Sequence, residues 1–340
     1  MFDLTKKLCN LFGPSSLEDE VREAIIEEIT PYCEKVYTDK VGNLIAFKKG
    51  KNSTDAPTLF AAHMDEVGFM IQYISDDGYL YFGTIGGIDS SVIAGRRMII
   101  GDNKVLGVVA SKAVHMQKPE ERGVCLPVSE MYIDIGCTDK EDAKKYVSVG
   151  DCATFLPNYE EFGDGMIKSK ALDDRFGCAV LCQLIKEERE YDTYFAFTVC
   201  EETGCRGAMG VAYALNPART VVIESTTAGD LPGVAASRRA CQVGEGAVFS
   251  VMDGGTVYDR DFFEAAVSLS KQHGIKYQIK NTVAGGNDSR SFQTSAKGSK
   301  VLAISAPTRY IHSASCVAKK SDLEDVLAAA RVVADNIKEI

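Results

Sequence analysis

The chain has no tryptophan, and its 340 residues include only four histidines. Basic residues never form a run of five, and the formal net charge is −10, so the sequence offers a nucleic acid or an anionic membrane no electrostatic attraction. No stretch approaches the ~18 apolar residues that a membrane span needs. Residues 1–13 follow an amphipathic helical pattern without the apolar centre or cleavage site of a signal peptide. These absences predict a cytoplasmic protein.

Cysteine pairing is also missing from the pattern. The eleven cysteines are odd in number, and none lie in a Cys-x-x-Cys arrangement. Several occur in apolar runs, which is typical of reduced thiols that pack as small hydrophobic groups. Cys178 and Cys182 are four residues apart and could present two metal ligands on one helix face. Because no histidine or further cysteine accompanies them at metal-site spacing, we favour a core position for both.

The order of apolar segments predicts an α/β fold of about two domains. Before residue 66 and after residue 164, helical periodicity alternates with strand-like runs, as in a mixed, mostly parallel sheet flanked by helices. Residues 67–163 differ, because short β-like segments alternate there with glycine-rich turns. That texture is typical of a small inserted β-barrel or sandwich. We therefore predict one domain from residues 1–66 and 164–340, and an inserted β-rich domain from residues 67–163.

The pattern also places individual elements. The predicted helices cover residues 3–12, 17–29, 171–188, 206–215, 260–274 and 321–340. Ser16 and Ser321 are the predicted N-caps of the second and the last helix. The predicted strands cover residues 35–39, 43–49, 192–202, 220–226, 276–281 and 300–307, and a longer apolar run covers residues 57–74.

Residues of the metal-ligand type follow several predicted strands, where ligands of open α/β sheets bind. These residues are His63, Asp65, Glu201, Glu202, Glu224 and His312, and Asp173 with Asp174 begins a helix. A mixture of histidine and carboxylate suits zinc, manganese or cobalt better than calcium. Each motif alone is weak, since acids at a strand end are usually solvated. The remaining histidines, His115 and His273, are interpreted as structural or peripheral.

Five motifs in a fixed order then point to a family. AHMDEVGF, ALDDRFG, EETGCRGA, AGGNDSRSFQ and RYIHS resemble the M42 family of metallo-aminopeptidases, the tetrahedral, glutamyl-aminopeptidase-like peptidases, some of which have been described as endoglucanases. The similarity extends over nearly the whole chain. It implies an enzyme that removes N-terminal residues from peptides with a free N-terminus. It also implies that residues 67–163 mediate dimerisation of a catalytic domain, and that the dimers assemble into a homo-oligomeric, tetrahedral dodecamer.

The resemblance further implies two divalent metal ions per subunit, with zinc expected and cobalt or manganese as alternatives. Asp173 would bridge the ions. His63 and Glu224 would complete the ligands of one ion, and Glu202 and His312 those of the other. The two ions would lower the pKa of a shared water and polarise the scissile carbonyl.

Two further residues take part in the implied chemistry. Glu201 would act as the general base, taking a proton from the water and returning it to the leaving amine. Asp65 would lie behind His63, where it fixes the imidazole tautomer and raises its basicity. No serine or cysteine nucleophile is required, and the chain has no Gly-x-Ser-x-Gly motif.

The chain departs from the family pattern at two places. Glu224 stands where the family usually has aspartate, and the extra methylene affects the affinity or identity of the first metal. The segment GGNDSR (285–290) stands where the family has a GGTDAG-like loop along the substrate pocket, which implies substrate contacts for Asn287, Asp288 and Arg290. Arg290 either faces this pocket and favours an acidic substrate side chain, or points to solvent or to a subunit salt bridge.

Two other classes of function stay open. The same metal site on the same fold could serve a deacylase, a carboxypeptidase-like amidohydrolase or a glycan hydrolase. Glycan hydrolysis needs two carboxyl groups about 5–9.5 Å apart, and without tryptophan the sugar would stack on tyrosine or phenylalanine. The third class is a non-catalytic assembly module. The ligand set is complete apart from the change from aspartate to glutamate, which argues against that class.

Overall fold

The computed structural model describes residues 1–53, 58–110 and 112–337. Within these ranges the α-helices are α1 (Phe2–Asn10), α2 (Asp19–Ile29), α3 (Lys140–Ala143), α4 (Leu172–Lys186), α5 (Arg206–Leu215), α6 (Arg260–Gln272), α7 (Ser289–Thr294) and α8 (Lys320–Asp335). The strands are β1 (Lys35–Thr38), β2 (Leu44–Lys48), β3 (Thr58–His63), β4 (Gly68–Ile74), β5 (Leu80–Ile85), β6 (Arg97–Ile100), β7 (Val105–Ala110), β8 (Tyr132–Asp134), β9 (Cys152–Phe155), β10 (Glu160–Phe162), β11 (Met166–Ser169), β12 (Thr193–Thr198), β13 (Arg219–Thr227), β14 (Ala247–Phe249), β15 (Tyr277–Ile279), β16 (Lys300–Thr308) and β17 (Cys316–Lys319). None of these helices combines the length and apolar character needed to cross a membrane.

The central sheet has eight strands in the order β1-β2-β12-β3-β13-β16-β14-β15. Its four middle strands, β12, β3, β13 and β16, run parallel to one another. Strands β1 and β2 form an antiparallel edge, and β14 with β15 runs opposite to β16. The predicted α/β fold with a mixed, mostly parallel sheet is therefore confirmed.

Both faces of the central sheet are covered by helices. In β3, Phe60 and Ala62 belong to the large core that includes residues of α1, α2, α4, α6 and α8. Leu59 and Ala61 face the opposite way and pack with α5 and α7. A strand that is buried on both faces has no polar alternation, which is why the sequence of β3 is a continuous apolar run.

Strands β4 to β9 form a closed antiparallel barrel in the order β4-β5-β8-β7-β6-β9. Its interior has its own apolar core, in which Phe69 meets Phe82 and Phe155 edge to face, with ring centroids 5.2 and 5.3 Å apart. Closure gives every strand a neighbour on both sides, although β5 and β8 pair only at Leu80 and Ile133. This structure confirms the β-barrel that the glycine-punctuated segments predict.

A third, smaller sheet brings together two chain segments that carry predicted metal ligands. Strand β11 pairs with β17, so that Ser169 lies opposite Cys316. Asp173 follows Ser169 by four residues, and His312 precedes Cys316 by four. The pairing therefore brings the start of α4 next to the segment that follows β16.

A buried ion cluster ties the N-terminal segment to α4. Lys170 Nζ donates to Glu66 Oε1 at 2.6 Å, and Arg175 donates to the same oxygen at 3.3 Å. Arg175 also donates to the carbonyl oxygens of Leu8 and Gly13, at 2.7 and 3.1 Å. A Cβ at Gly13 would lie 2.8 Å from the guanidinium, so this approach requires glycine. All three charged side chains are buried, and their pairing compensates the cost of desolvation.

The cysteine prediction is confirmed, because Cys178 and Cys182 both lie in the main core. The two predicted caps are wrong. Ser16 has a φ of +75° and α2 begins after Glu18, because the chain makes an extra turn before the helix. Helix α8 begins at Lys320, one residue before the predicted start, with Lys319 at its N-cap.

The apolar run at 57–74 is not one element. It divides into β3 of the central sheet and β4 of the barrel, because the chain leaves one core and enters another between them. Residue 57, where this run was predicted to begin, lies outside the described residues. The same holds for residues 338–340 of the predicted last helix.

Candidate metal centre

The parallel strands bring the predicted ligands to one edge of the sheet. Ala61 of β3 pairs with Val222 of β13, so two residues further along the strands His63 and Glu224 are neighbours on one face. His63 ends β3, and Glu201 with Glu202 follows the adjacent strand β12. The carboxyl ends of parallel strands are where ligands of such sheets bind.

His63 is fixed from one side and faces carboxylates on the other. Its Nδ1–H donates to the Asp65 carbonyl oxygen at 3.1 Å, and the Asp65 carboxylate lies 3.4 Å from the same nitrogen. Nε2 is thereby directed at Asp173 Oδ1, 3.2 Å away, and Glu224 Oε1, 3.5 Å away. Such separations match the edge of about 3.4 Å between two ligands at zinc bond lengths.

His312 repeats this arrangement on the far side of Asp173. Its Nδ1–H donates to the Gly87 carbonyl oxygen at 2.8 Å. Its Nε2 lies 3.1 Å from Glu202 Oε2 and 3.6 Å from Asp173 Oδ2. The two oxygens of Asp173 thus face two different imidazoles, which is the geometry of a carboxylate that can bridge two cations.

Asp65 has a second set of contacts that the sequence does not reveal. Its Oδ1 accepts from the backbone N–H of Glu201 at 3.0 Å, and its Oδ2 from that of Glu202 at 3.1 Å. Ser15 Oγ donates to Oδ2 at 2.6 Å. One fully buried carboxylate therefore fixes the backbone at both acids that follow β12.

The electrostatics of the site favour a cation. Burial raises the pKa of Glu224 to about 8 and raises the pKa of Glu201 well above its ordinary value. Burial alone lowers the pKa of His312, but the carboxylates of Asp173 and Glu202 raise it to about 11. Acids that resist ionisation and imidazoles that retain protons are the signs of too much negative charge in one buried place. A divalent ion can replace those protons.

Asp174 adds an acid that the sequence analysis did not assign as a ligand. It is fully buried, and its Oδ2 has no hydrogen-bond partner among the described residues. It forms one potential ligand group with His63 and Glu224, while Asp173 forms another with His63 and Glu202. An unpaired buried carboxylate oxygen is costly, so the residues present fit a bound metal. Regular helical geometry in α4 begins only after Asp174, which lets both acids turn toward the sheet edge.

Two cavities open beside His312. One of about 140 Å³ is lined by Asp173, Asn287 and Lys280, among others. The other, of about 320 Å³, is lined by Glu201, Glu202 and Arg290 together with backbone of the glycine pairs at 254–255 and 285–286. The absence of side chains at these glycines keeps the second cavity open to solvent.

The loop residues predicted to contact substrate differ in exposure. Arg290 is exposed and lines the larger cavity. Asn287 Nδ2 donates to the Tyr258 hydroxyl at 3.1 Å and lines the smaller one. Asp288 is only 1% exposed, and Thr198 Oγ1 donates to it at 2.5 Å, so its side chain lies beneath the cavity floor.

Other residues near the site carry a weak sequence signal or none. Asp174 follows a predicted ligand directly, and its place in the ALDDRFG motif could have identified it. Gly87 contributes only a carbonyl oxygen, Ser15 lies far from the other site residues in sequence, and Lys280 precedes the predicted substrate loop by five residues without belonging to a motif. His115 and His273, both exposed, take no part in the site.

Comparisons with known proteins show relatives of the whole chain. A family model described as M42 glutamyl aminopeptidase matches residues 42–328. A putative aminopeptidase of Acetivibrio thermocellus is 39% identical over 329 residues, covering 96% of each chain. Among solved structures, a TET aminopeptidase from a marine-sediment thaumarchaeote is 32% identical, with a TM-score of 0.94 over 99% of this chain and 96% of that one. The TET1 peptidase of Pyrococcus horikoshii, described as assembling into a tetrahedron or a large octahedral shell, is 32% identical with a TM-score of 0.87, covering 98% of each chain.

The substitution Asp65→Asn tests the contacts of this carboxylate. The amide keeps one acceptor, but its NH2 group faces a backbone N–H at Glu201 or Glu202. We expect the affinity for Zn²⁺ and the turnover of a peptide substrate to fall about 10–100-fold. The free energy of unfolding of the metal-free protein should fall by no more than about 1–3 kcal/mol. Chelator competition, a peptide assay and urea unfolding measure the three quantities. Asp76→Asn, an exposed acid on the barrel, is the control, and full activity in Asp65→Asn would show that the carboxylate has no such role.

Proposed function

Because the chain belongs to the M42 family of glutamyl aminopeptidases and is a metal-dependent hydrolase of that class, we propose that it removes N-terminal residues from peptides by two-metal hydrolysis with a glutamate general base. The observation that carries the proposal is the position of Asp173, whose two oxygens face the imidazoles of His63 and His312 separately. A carboxylate whose two oxygens face two different nitrogens is suited to bridge two cations, and this supports a two-metal site.

In this proposal Asp173 bridges two divalent ions, for which zinc is the first candidate and cobalt or manganese the alternatives. His63 and Glu224 hold one ion, and Glu202 and His312 hold the other. The distances of 3.1–3.6 Å between each imidazole Nε2 and its carboxylate neighbours support these pairings. The length of Glu224 is accommodated, because its Oε1 reaches within 3.5 Å of His63.

Bound divalent ions lower the pKa of water and polarise a carbonyl. The protein then has to move one proton, and Glu201 is the acid placed to do so. Its backbone is anchored by Asp65, and its side chain lines the larger cavity without forming an ion pair with either imidazole among the described residues. Glu201 takes the proton of the attacking water and delivers it to the amine that leaves.

A substrate panel tests the reaction. Peptides with a free α-amine should be cleaved from the N-terminus after chelated protein is reloaded with zinc, cobalt or manganese, and N-acetylated peptides should not. Glu201→Gln should lower kcat about 10²–10⁴-fold, because proton transfer is lost, while zinc stoichiometry stays at two. Glu188→Gln, at an exposed ion pair far from the site, is the control. Cleavage of acetylated peptides or of a glycan instead would identify another hydrolase, and no metal-dependent turnover on any substrate would indicate an assembly module.

We further propose that Asn287, Asp288 and Arg290 shape the substrate pocket. Arg290 supports a preference for acidic N-terminal residues, because its exposed guanidinium lines the same cavity as Glu201 and Glu202. Asn287 lines the neighbouring cavity, and Asp288 supports the loop from below.

The substitution Arg290→Ala tests this preference. For glutamyl-anilide, kcat/KM should fall about two- to fivefold relative to leucyl-anilide, the amount expected for one solvent-accessible ion pair. Lysyl-anilide should be unaffected or improved, because a like charge is removed. Arg260→Ala removes an exposed arginine that pairs with Glu264 and provides the control. An unchanged order of the three substrates would refute a role for Arg290 in selectivity.

We also propose that residues 67–163 form a dimerisation domain on a catalytic domain of residues 1–66 and 164–340, and that dimers assemble into a dodecamer. The TET1 relative supports assembly. On the barrel, Leu106 and Val108 of β7 are 64% and 45% exposed, and they line an apolar groove with Leu156. Exposed apolar patches of this kind are typical of interaction surfaces.

Mass measurement in solution tests assembly. Light scattering should give a mass near twelve times the 36.8 kDa of one chain. Leu106→Glu should reduce this mass, since burial of an unpaired charge at an interface is unfavourable. Val41→Glu, at an exposed apolar side chain outside the barrel, is the control. A wild-type mass near that of one chain would contradict the proposal.

A cytoplasmic location remains part of the proposal. All eleven cysteines are free thiols and none forms a disulfide bond. Unpaired thiols in this number fit a reducing compartment.

A further inference from the structure

A second group of potential ligands lies next to the proposed two-metal centre and shares no residue with it. That five-residue centre consists of His63, Asp173, Glu202, Glu224 and His312. It consists of Glu201, Cys205 and Asp288, and one ligand atom from each lies within 4.8 Å of the other two. The Cys205 thiol lies 3.4 Å from Glu201 Oε1, to which it donates. In a tetrahedral zinc site, a sulfur and an oxygen ligand are separated by about 3.6 Å.

The backbone holds this group together without a cation. The N–H of Cys205 donates to the Glu201 carbonyl oxygen at 2.9 Å, which closes a turn between the two residues. Cys205 has a φ of +55° and precedes the first residue of α5, so its side chain points back toward Glu201 instead of along the helix. The thiol is almost completely buried.

Asp288 supplies an independent sign of a missing partner. Its Oδ2 accepts from Thr198, whereas its Oδ1 is buried and has no partner with full hydrogen-bond geometry among the described residues. Burial raises the pKa of the Asp288 carboxyl to about 6 overall, although the Cys205 thiol is near enough to favour its ionised form. A buried carboxylate oxygen without a donor is costly, and no lysine or arginine forms an ion pair with Asp288 in the part of the chain that the structure describes. A cation between Asp288, Cys205 and Glu201 would remove that cost.

We propose that Glu201, Cys205 and Asp288 bind one further divalent cation of the thiophilic class, Zn²⁺ or Cd²⁺, and that this cation inhibits the enzyme. One thiolate and two carboxylates suit such ions, whereas Mg²⁺ and Ca²⁺ prefer oxygen ligands alone. On binding, Cys205 releases its proton to solvent and two carboxylates and a thiolate enclose the ion. The ion exchanges water ligands for the thiolate and the two carboxylates, and no covalent bond of the protein other than the S–H bond is broken.

Inhibition follows from the use of Glu201, and this part rests on the proposed function. A carboxylate that ligates the further cation cannot accept a proton from water. Enzyme loaded with two equivalents of metal is therefore active, and a third equivalent at this site stops turnover by occupying the base. The larger cavity, which Glu201, Cys205 and Arg290 line, gives the ion a path from solvent.

A spectroscopic titration tests the site without reference to activity. Protein loaded with two equivalents of Zn²⁺ is titrated with Cd²⁺ or Co²⁺ while the thiolate-to-metal charge-transfer absorption is recorded. The five-residue centre contains no sulfur, so exchange of ions there does not produce this band. The band should appear in the wild type and in Cys125→Ser, which removes an exposed thiol. It should be absent in Cys205→Ser. A band that survives in Cys205→Ser, or none in the wild type, overturns the proposal.

Two further measurements complete the test. Each variant is assayed with increasing Zn²⁺ beyond two equivalents, relative to its own maximal activity, and Cys205→Ser should raise the inhibition constant about tenfold or more. An unchanged constant overturns the inhibitory role. If Cys205→Ser fails to fold, Asp288→Asn retains the thiol and should weaken the band, and an undiminished band overturns the site. A Cys205-dependent band without turnover on any peptide supports the cation site and contradicts the proposed function alone.

Discussion

The structure depends on a concentration of negative charge that is buried at one edge of the central sheet. Two imidazoles are the only cationic side chains in ion-pair contact with it among the described residues. Its carboxylates belong to Asp65, Asp173, Asp174, Glu201, Glu202 and Glu224. Charges of one sign repel strongly where water is excluded. The arrangement persists because some acids accept backbone N–H donors and others are placed where a divalent ion can lie between them.

Four consecutive residues, 63–66, each contact a different part of this buried acidic cluster or its surroundings. His63 turns its Nε2 toward the carboxylates, and Met64 packs into the core of the sheet. Asp65 accepts the N–H groups of the acids after β12. Glu66 pairs with the buried Lys170 and Arg175, which in turn fix the start of α4 near the site. The ligand, its support and the attachment of the neighbouring helix are thus encoded within one short segment.

The sequence predicts those features that local chemistry determines. The alternation of apolar segments predicts the α/β sheet, and the frequent glycines predict the barrel, because both follow from periodicity. Features that depend on distant contacts are not accessible in this way. Gly87 orients His312 through a carbonyl oxygen, which every residue possesses, so no side chain marks it. The run at 57–74 looks continuous, since apolar residues suit either core, and only the change of texture after residue 66 indicates that the chain passes there from one domain to the next. Ser16 fails as a cap because its backbone is left-handed and the helix begins only at Asp19, and no residue type in the pattern indicates that additional turn.

The contacts of Glu201 suit two opposed events, acceptance of a proton from water and binding to a further cation. In the proposed reaction Glu201 is the general base, and such a base must be held without being neutralised, which excludes a lysine or arginine as its neighbour. Here Asp65 fixes its backbone, and Cys205, a weak and uncharged donor, is the side chain that contacts its carboxylate. A thiol leaves the base free to accept a proton while the site is empty. The same thiol, once deprotonated, has the affinity for soft metals that a leucine or serine would lack. In these two proposals, Cys205 leaves Glu201 available as a base at low metal concentration. The same residue, as a thiolate, helps excess metal to bind Glu201 and so to block its reaction with water.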